Sequence, residues 1–225
     1  MLDLLGLEHR FSGQSAGAQP ALDIASLTIT PGRLTVIRGP SGSGKTTLLY
    51  VLSGLIKPSA GQVRWSGLDI AALGETERDR WRRRNAGFVF QSFNLMEELN
   101  PLGNVTLAAY FSAWTDRTVR KRAIALLERF GIANEPRRVD TYSQGEQQRV
   151  ALARALVFDP PILFADEPTA SLDAGNSIQL CDDFKRLASE GRAIVAVSHD
   201  PLLIAAADSV VALDHGRIGD GKTLS

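Results

Sequence analysis

The run Gly39 to Thr46, GPSGSGKT, has the spacing G-x-x-x-x-G-K-[ST]. Glycines at this spacing let the backbone curl so that successive N–H groups face an anion, and a following helix adds the positive end of its dipole. Lys45 is placed to reach β- and γ-phosphates, and the Thr46 hydroxyl to meet Mg²⁺. Gly39, Pro40, Ser41, Gly42, Ser43, Gly44, Lys45, Thr46 and Thr47 are therefore the candidate phosphate site. Farther along, ILFADE (Ile162 to Glu167) ends an apolar run with two carboxylates. Asp166 is the candidate Mg²⁺ holder, and Glu167 the candidate base that polarises an attacking water. The plain alternative is a strand closed by an acidic turn, which Pro168 favours.

These groups need elements to hold them. Leu34–Ile37 is an apolar, β-rich run that feeds the phosphate loop, and a helix is predicted over Thr46–Leu55. Comparable runs stand at Ala86–Phe90, Pro161–Ala165, Ala193–Val197 and Ser209–Leu213. Runs this continuously apolar suit parallel strands covered on both faces. Leu2–Leu7 and Leu22–Ile29 alternate more, as in an antiparallel accessory sheet. From Asn104 to Phe158 the pattern is helical: in TVRKRAIALLERF, Val119, Ala123, Leu126, Leu127 and Phe130 share one face, and Gly131 follows as a C-cap. The expected fold is α/β: a P-loop NTPase (RecA-like) core with a mainly parallel sheet, an antiparallel β accessory sheet and an inserted α-helical subdomain. One domain, 1–225, is expected, with the core at about 1–91 and 160–225 and the helical subdomain at about 92–159. SGQSAGAQP (12–20) is expected as a loop.

Composition narrows the functions. The chain has 225 residues, with 25 Lys+Arg against 25 Asp+Glu. That balance argues against a protein held mainly by nucleic-acid phosphates, so no nucleic-acid partner is expected. A single cysteine, Cys181, excludes an intramolecular disulfide and a multi-cysteine metal site. It falls in an apolar helical pattern and reads as packed and inert. No apolar stretch approaches the roughly 20 residues that cross a bilayer. The opening MLDLLGLEHRF is too short and acidic for a secretory signal. A soluble intracellular protein is expected. RDRWRRRN (Arg78 to Asn85) is the one marked charge run, expected as a solvated helix face with Trp81 turned inward.

Together the motifs resemble the nucleotide-binding subunit of an ATP-binding cassette (ABC) transporter, over essentially the whole chain. Gln91 in VFQSFNL stands where the family has its Q-loop glutamine, which the resemblance assigns to Mg²⁺ and the attacking water. YSQGEQQR (Tyr142 to Arg149) occupies the place of the signature usually written LSGGQ, with Ser143 and Gly145 retained. Gln144 replaces the first glycine, so a side chain stands where backbone usually approaches phosphate. Glu146 replaces the final glutamine. SLD (Ser171 to Asp173) matches the D-loop, which makes Asp173 a nucleotide-site residue. His199 in VSHD matches the switch histidine that touches the γ-phosphate. Phe11 lies where an aromatic ring stacks on adenine, though a core position suits it equally.

The resemblance implies an ATPase using ATP and Mg²⁺, with Glu167, His199 and Gln91 as the catalytic set. Thr46, Gln91 and Asp166 would be the metal set. It implies a head-to-tail dimer with a second copy or a related cassette, each signature closing over the other's phosphate loop. It also implies integral membrane permease subunits and a cytoplasmic position on the inner face of the cell membrane. Phe93, Leu95, Met96 and Leu99 offer either a docking surface for the permease or ordinary packing. GFVFQSFNLMEELNPLGNV and GEQQRVALARAL most resemble cassettes of lipoprotein-releasing and macrolide-efflux systems. An importer cassette and a cell-division signalling cassette are the nearest alternatives. A soluble switch of DNA repair or translation usually carries long coiled coils or two cassettes, and neither is present. A GTPase would be expected to carry [NT]-K-x-D, which is absent.

Overall fold

The structure is a computed structural model that describes residues 1–11, 19–110, 117–133 and 135–219. Of the expected loop 12–20, residues 12–18 lie outside the described residues. Two sheets enclose one helix, a second helix flanks the larger sheet on that same side, and the other helices cover its far face.

The larger sheet has six strands. Along the chain they are β3 (Leu34–Arg38), β6 (Ala86–Val89), β7 (Ile162–Asp166), β8 (Ala193–Val197), β9 (Ser209–Asp214) and β10 (Arg217–Ile218). Their order across the sheet is β10-β9-β3-β8-β7-β6. All neighbours run parallel except the terminal β9–β10 hairpin. Every residue of β7 and β8 is buried, which is why both segments read as unbroken apolar runs. All five expected strands are present, with ends shifted by a residue or so.

The accessory sheet joins β1 (Leu2–His9), β2 (Leu22–Ile29), β4 (Ala60–Trp65) and β5 (Leu68–Asp69) in the order β2-β1-β4-β5, antiparallel throughout. Leu2, Leu4, Leu7, Leu22, Ile24 and Ile29 turn their side chains inward from it. They pack on helix α1 (Lys45–Leu52), which begins one residue before its expected start and ends three residues early. Leu48, Leu49, Val51 and Leu52 fill the space between the two sheets. The Trp65 indole donates to Leu52 O at 3.0 Å and fixes the helix end to the accessory sheet.

The opposite face of the large sheet carries α3 (Pro101–Tyr110), α4 (Arg117–Arg129), α5 (Gln144–Leu156), α6 (Ala174–Ser189) and the short α7 (Pro201–Ala206). Among the described residues, no strand interrupts the chain between β6 and β7. In α4, Val119, Ala123 and Leu127 are buried, as is Phe130 just beyond it. Gly131 has φ 68°, and Ile132 N–H returns to Leu127 O at 2.8 Å, so the helix stops as the glycine requires. Helix α2 (Glu75–Asn85) holds the arginine run, with Trp81 buried and Arg80, Arg83 and Arg84 exposed. Cys181 is buried on α6, and burial pushes its thiol up to about 11, so it stays an unreactive thiol at neutral pH.

Candidate nucleotide-binding and catalytic site

The phosphate loop leaves the C-terminal end of β3 and enters α1. Gly44 caps the helix in the left-handed region (φ 96°), with no side chain bonded to the first-turn N–H groups and no acidic residue in that turn. Those N–H groups are left for an anion, and the helix dipole favours one there. The Ser43 hydroxyl is buried, with no hydrogen-bond partner among the described residues. Lys45 Nζ donates to Pro40 O at 2.9 Å, so the ammonium lies across its own loop. Gly39 has no substitute: a Cβ there would lie 2.0 Å from Leu213 O, a backbone atom that cannot step aside. A loop with unpaired donors, a free hydroxyl and an ammonium above it fits a chain of phosphates. Pro40, Ser41, Gly42 and Thr46 are exposed at its mouth, and Thr47 is half-buried.

The neighbouring strand ends converge on this loop. Ser198 N–H donates to Ile37 O at 3.2 Å, and Glu167 N–H to Val197 O at 2.9 Å. The ends of β3, β8 and β7 are thereby tied side by side, in a crevice of the kind where open α/β sheets place ligands. Asp166, 8% exposed, accepts from the Thr46 hydroxyl at 3.1 Å. Burial raises its carboxyl above the usual range, and hydrogen bonds from Thr46 and Tyr50 oppose that rise. A buried carboxylate beside a hydroxyl and an ammonium fits a magnesium–phosphate group. Among the described residues no cluster of three or more His, Cys, Asp or Glu could hold a metal by itself. The donors here suit an ion that shares the phosphates.

Glu167 adopts φ 46°, an uncommon backbone for a residue with a Cβ and a form of strain that collects at functional sites. Its Oε2 lies 2.9 Å from His199 Nδ1, so two of the three expected catalytic groups are in direct contact. Gln91 is exposed just past β6. Val89 pairs with Ala165, so the chain leaves β6 toward Gln91 at the same end of the sheet where β7 ends in Asp166 and Glu167. Phe11 is not a core residue: it is 48% exposed, with its ring edge-to-face on His9 at 5.0 Å. His9 O accepts from Ala21 N–H at 2.9 Å, and Ala21 O packs against Gly44, so the strand that leads to Phe11 runs beside the phosphate loop.

The remaining expected residues form a second group. Ser143 caps α5 and accepts from Glu146 N–H, while the Glu146 carboxylate accepts from Ser143 N–H and from its hydroxyl, both at 2.8 Å. This is a reciprocal capping box, and the Ser143 N–H bond is the main reason the Glu146 carboxyl sits below the usual range. Glu at this position is thus explained by local capping. Gly145 is buried, and a Cβ on it would meet Asn176 Oδ1 at 2.1 Å. Asp173 caps α6 through Asn176 N–H and also accepts from the Asn176 amide, both at 2.8 Å. Among the described residues no hydrogen bond joins Ser143, Gly145 or Asp173 to the phosphate loop.

The docking surface expected at Phe93, Leu95, Met96 and Leu99 divides. Phe93 is 8% exposed and packed inward, whereas Met96 is 48% exposed. Phe93 and Asn94 both have positive φ, and Arg154 of α5 donates to both of their carbonyls. Arg154, Asn176 and Tyr50 are site-supporting residues that no motif spacing signals, because each acts through a partner distant in sequence.

A family model described as "ABC transporter" matches residues 22–170. The chain is 40% identical over 220 residues to the macrolide export ATP-binding/permease protein MacB of Syntrophobacter fumaroxidans, covering 92% of this chain and 30% of that one. It is also 40% identical over 203 residues to the lipoprotein-releasing system ATP-binding protein LolD of Chromohalobacter salexigens, covering 88% of this chain and 85% of that one. The chain therefore spans about a third of the MacB relatives it matches. Among solved structures, a dimeric ATP-binding cassette in a post-hydrolysis state bound to ADP and Pi superposes with a TM-score of 0.88 at 33% identity, covering 100% of this chain and 99% of that one. The strand-end crevice, the open phosphate loop and these likenesses agree: the chain belongs to the ABC transporter family.

Proposed function

We propose that this cassette hydrolyses ATP to ADP and phosphate in order to drive a membrane complex of the lipoprotein-releasing or macrolide-efflux type. The observation that carries the chemistry is the strand-end arrangement of Thr46 on Asp166 and His199 on Glu167, at the mouth of the phosphate loop. Gly39 to Thr47 bind and orient the triphosphate, and Phe11 offers its exposed ring to the adenine. Thr46, Asp166 and Gln91 would hold Mg²⁺, which when bound neutralises charge on the phosphate oxygens. Glu167 takes a proton from the attacking water as its oxygen joins the terminal phosphorus and the bond to the ADP oxygen breaks. His199 holds the Glu167 carboxylate in place.

Ser143, Gly145 and Asp173 complete the site of a second cassette in a head-to-tail dimer, which agrees with their lack of any bond to their own phosphate loop. A single two-fold contact then builds two sites, and ATP favours the closed state by binding it better. No helix among the described residues is long and apolar enough to cross a membrane. A permease supplies that part, either in the same chain, as the name of the MacB relatives states for them, or as a separate subunit. The helical segment at about 92–159 serves as the subdomain that docks it, with Met96 presented outward. The cassette then lies on the cytoplasmic face of the membrane.

The test is capture with Glu167→Gln protein, incubated with ATP and native membranes in mild detergent. A stoichiometric membrane protein with large extracytoplasmic domains is the expected result. Recovery of soluble partners alone, with ATP-dependent dimers intact, would move the protein to the soluble-switch class.

A further inference from the structure

Helices α5 and α6 meet at a polar joint behind Ser143 and Asp173. Between them lies a cavity of about 10 Å³, measured as space open to the centre of a water molecule, lined by Gly145, Gln148, Arg149, Asn176 and Asp183 among others. Gln148 is 1% exposed, and neither its amide oxygen nor its amide nitrogen has a hydrogen-bond partner among the described residues. Arg149 Nε is likewise buried and unpartnered. Asp183 is 5% exposed, and Arg186 reaches it only at 3.8 Å, too long for a hydrogen bond. The Gln148 amide and Arg149 Nε, buried and unpartnered, are costly in this condition, and native proteins satisfy such groups.

We propose that one water molecule occupies this cavity, accepting from Arg149 Nε–H and donating to Gln148 Oε1 and to the Asp183 carboxylate. The space suits a single water, and three polar partners are the usual number for a buried one. Asn176 closes the same joint from the other side. Its amide donates to Asp173, its Oδ1 accepts from Arg149 at 3.3 Å, and that oxygen packs on the bare Cα of Gly145. Side chain and water together fasten α5 to α6, so the turn carrying Ser143 and the turn carrying Asp173 move as one body. Gln148 and Asn176 are positioning residues. What the joint does for closure rests on the dimer proposed above; its existence does not.

A thermal-unfolding cycle on the full chain tests the joint. Gln148→Met and Asp183→Leu are each expected to lower Tm by about 2–4 °C, the shift of one lost hydrogen bond in a chain of this size. The double variant is expected to lose clearly less than the sum, because both remove one bridge. Additive losses, or a Tm raised by Gln148→Met as in a dry cavity, would overturn the bridge. Should Asp183→Leu not fold, Gln148→Met with Arg149→Met closes the same cycle, since Arg149 Nε is the water's donor. The coupling is read in the Glu167→Gln protein. There Gln148→Met should weaken ATP-driven dimerisation about tenfold, while binding of a fluorescent ATP analogue stays within about twofold. Equal losses in both, or no loss in dimerisation, would overturn the positioning role. If Glu167→Gln itself fails to dimerise with ATP, the dimer proposal has failed, and the unfolding cycle still decides the bridge.

Discussion

His199 Nδ1 lies 2.9 Å from Glu167 Oε2, across the ends of the adjacent strands β8 and β7. The carboxylate is largely covered and the imidazole largely exposed, with side-chain exposures of 17% and 75%. The pair therefore has an inner member able to take a proton and an outer member able to meet a ligand arriving from solvent. The backbone of Glu167 stands in the left-handed region, and its N–H donates to Val197 O at the end of β8.

Removing the inner member should stop the chemistry and leave binding. Glu167→Gln is expected to bind ATP normally, hydrolyse it at least about a hundredfold more slowly, and accumulate as a dimer on size exclusion with ATP. Turnover close to that of the unmodified protein would take the base role away from Glu167.

A bulky cation at the signature should block closure alone. Ser143→Arg is expected to bind ATP at its own phosphate loop while forming no ATP-dependent dimer, since Ser143 bonds to nothing in that loop. The check is light scattering with and without ATP in the Glu167→Gln background. Persistent dimers would mean that the signature does not face a second copy.

Asp166 should trade stability for function. Its carboxyl is raised above the unfolded value chiefly by burial. Stability linked to it is thus fully present below the unfolded carboxylate pKa and is lost as pH rises through the higher folded one. At neutral pH the ionised group penalises the nucleotide-free protein, so Asp166→Asn is expected to keep or raise Tm while abolishing Mg²⁺-dependent hydrolysis. A clear fall in Tm at pH 7 would contradict this.

Gly145 should tolerate no side chain. A Cβ 2.1 Å from Asn176 Oδ1 forces the amide away from Asp173 and Arg149. Gly145→Ala is expected to cost about 1–3 kcal/mol, and the loss should shrink when Asn176→Ala is added. Urea unfolding of the four proteins measures both numbers, and additive losses would show that the crowding lies elsewhere.

Glu146 should stabilise α5 in a pH-dependent way. Its lowered carboxyl contributes stability above the unfolded carboxylate pKa that is lost as pH falls through the lower folded one. Replacement by Ala is expected to cost about 0.5–1 kcal/mol at pH 7 and less under acid conditions. Thermal scans across the acid range check it, and a pH-independent difference would remove the charge from the cap.

The phosphate loop and the ADE end of β7 were legible because their chemistry is local. Glycine spacing, the following helix and an apolar run ending in carboxylates are all contiguous in sequence, and the structure places each where expected. β4, β5 and β10 were not legible as strands. They are short or half-exposed, and pairing of β4 with β1, β5 with β4 and β10 with β9 holds them in place. Phe93 shows the same limit, since an apolar residue in a loop reads alike whether it faces a partner or the interior.

The amino-acid sequence by itself determined which groups could bind phosphate and move a proton, because backbone permissiveness, helix starts and side-chain acidity are properties of neighbouring residues. Tertiary structure decided which groups meet. Asp166 reaches Thr46, and Glu167 reaches His199, only because β3, β8 and β7 lie side by side. Asn176 joins the signature to the D-loop only because α5 and α6 pack there, closely enough that Gly145 has room for no side chain. Contacts of this kind bridge 27 to 120 positions of sequence. Local pattern carries no record of such separations, and burial and strand order set them.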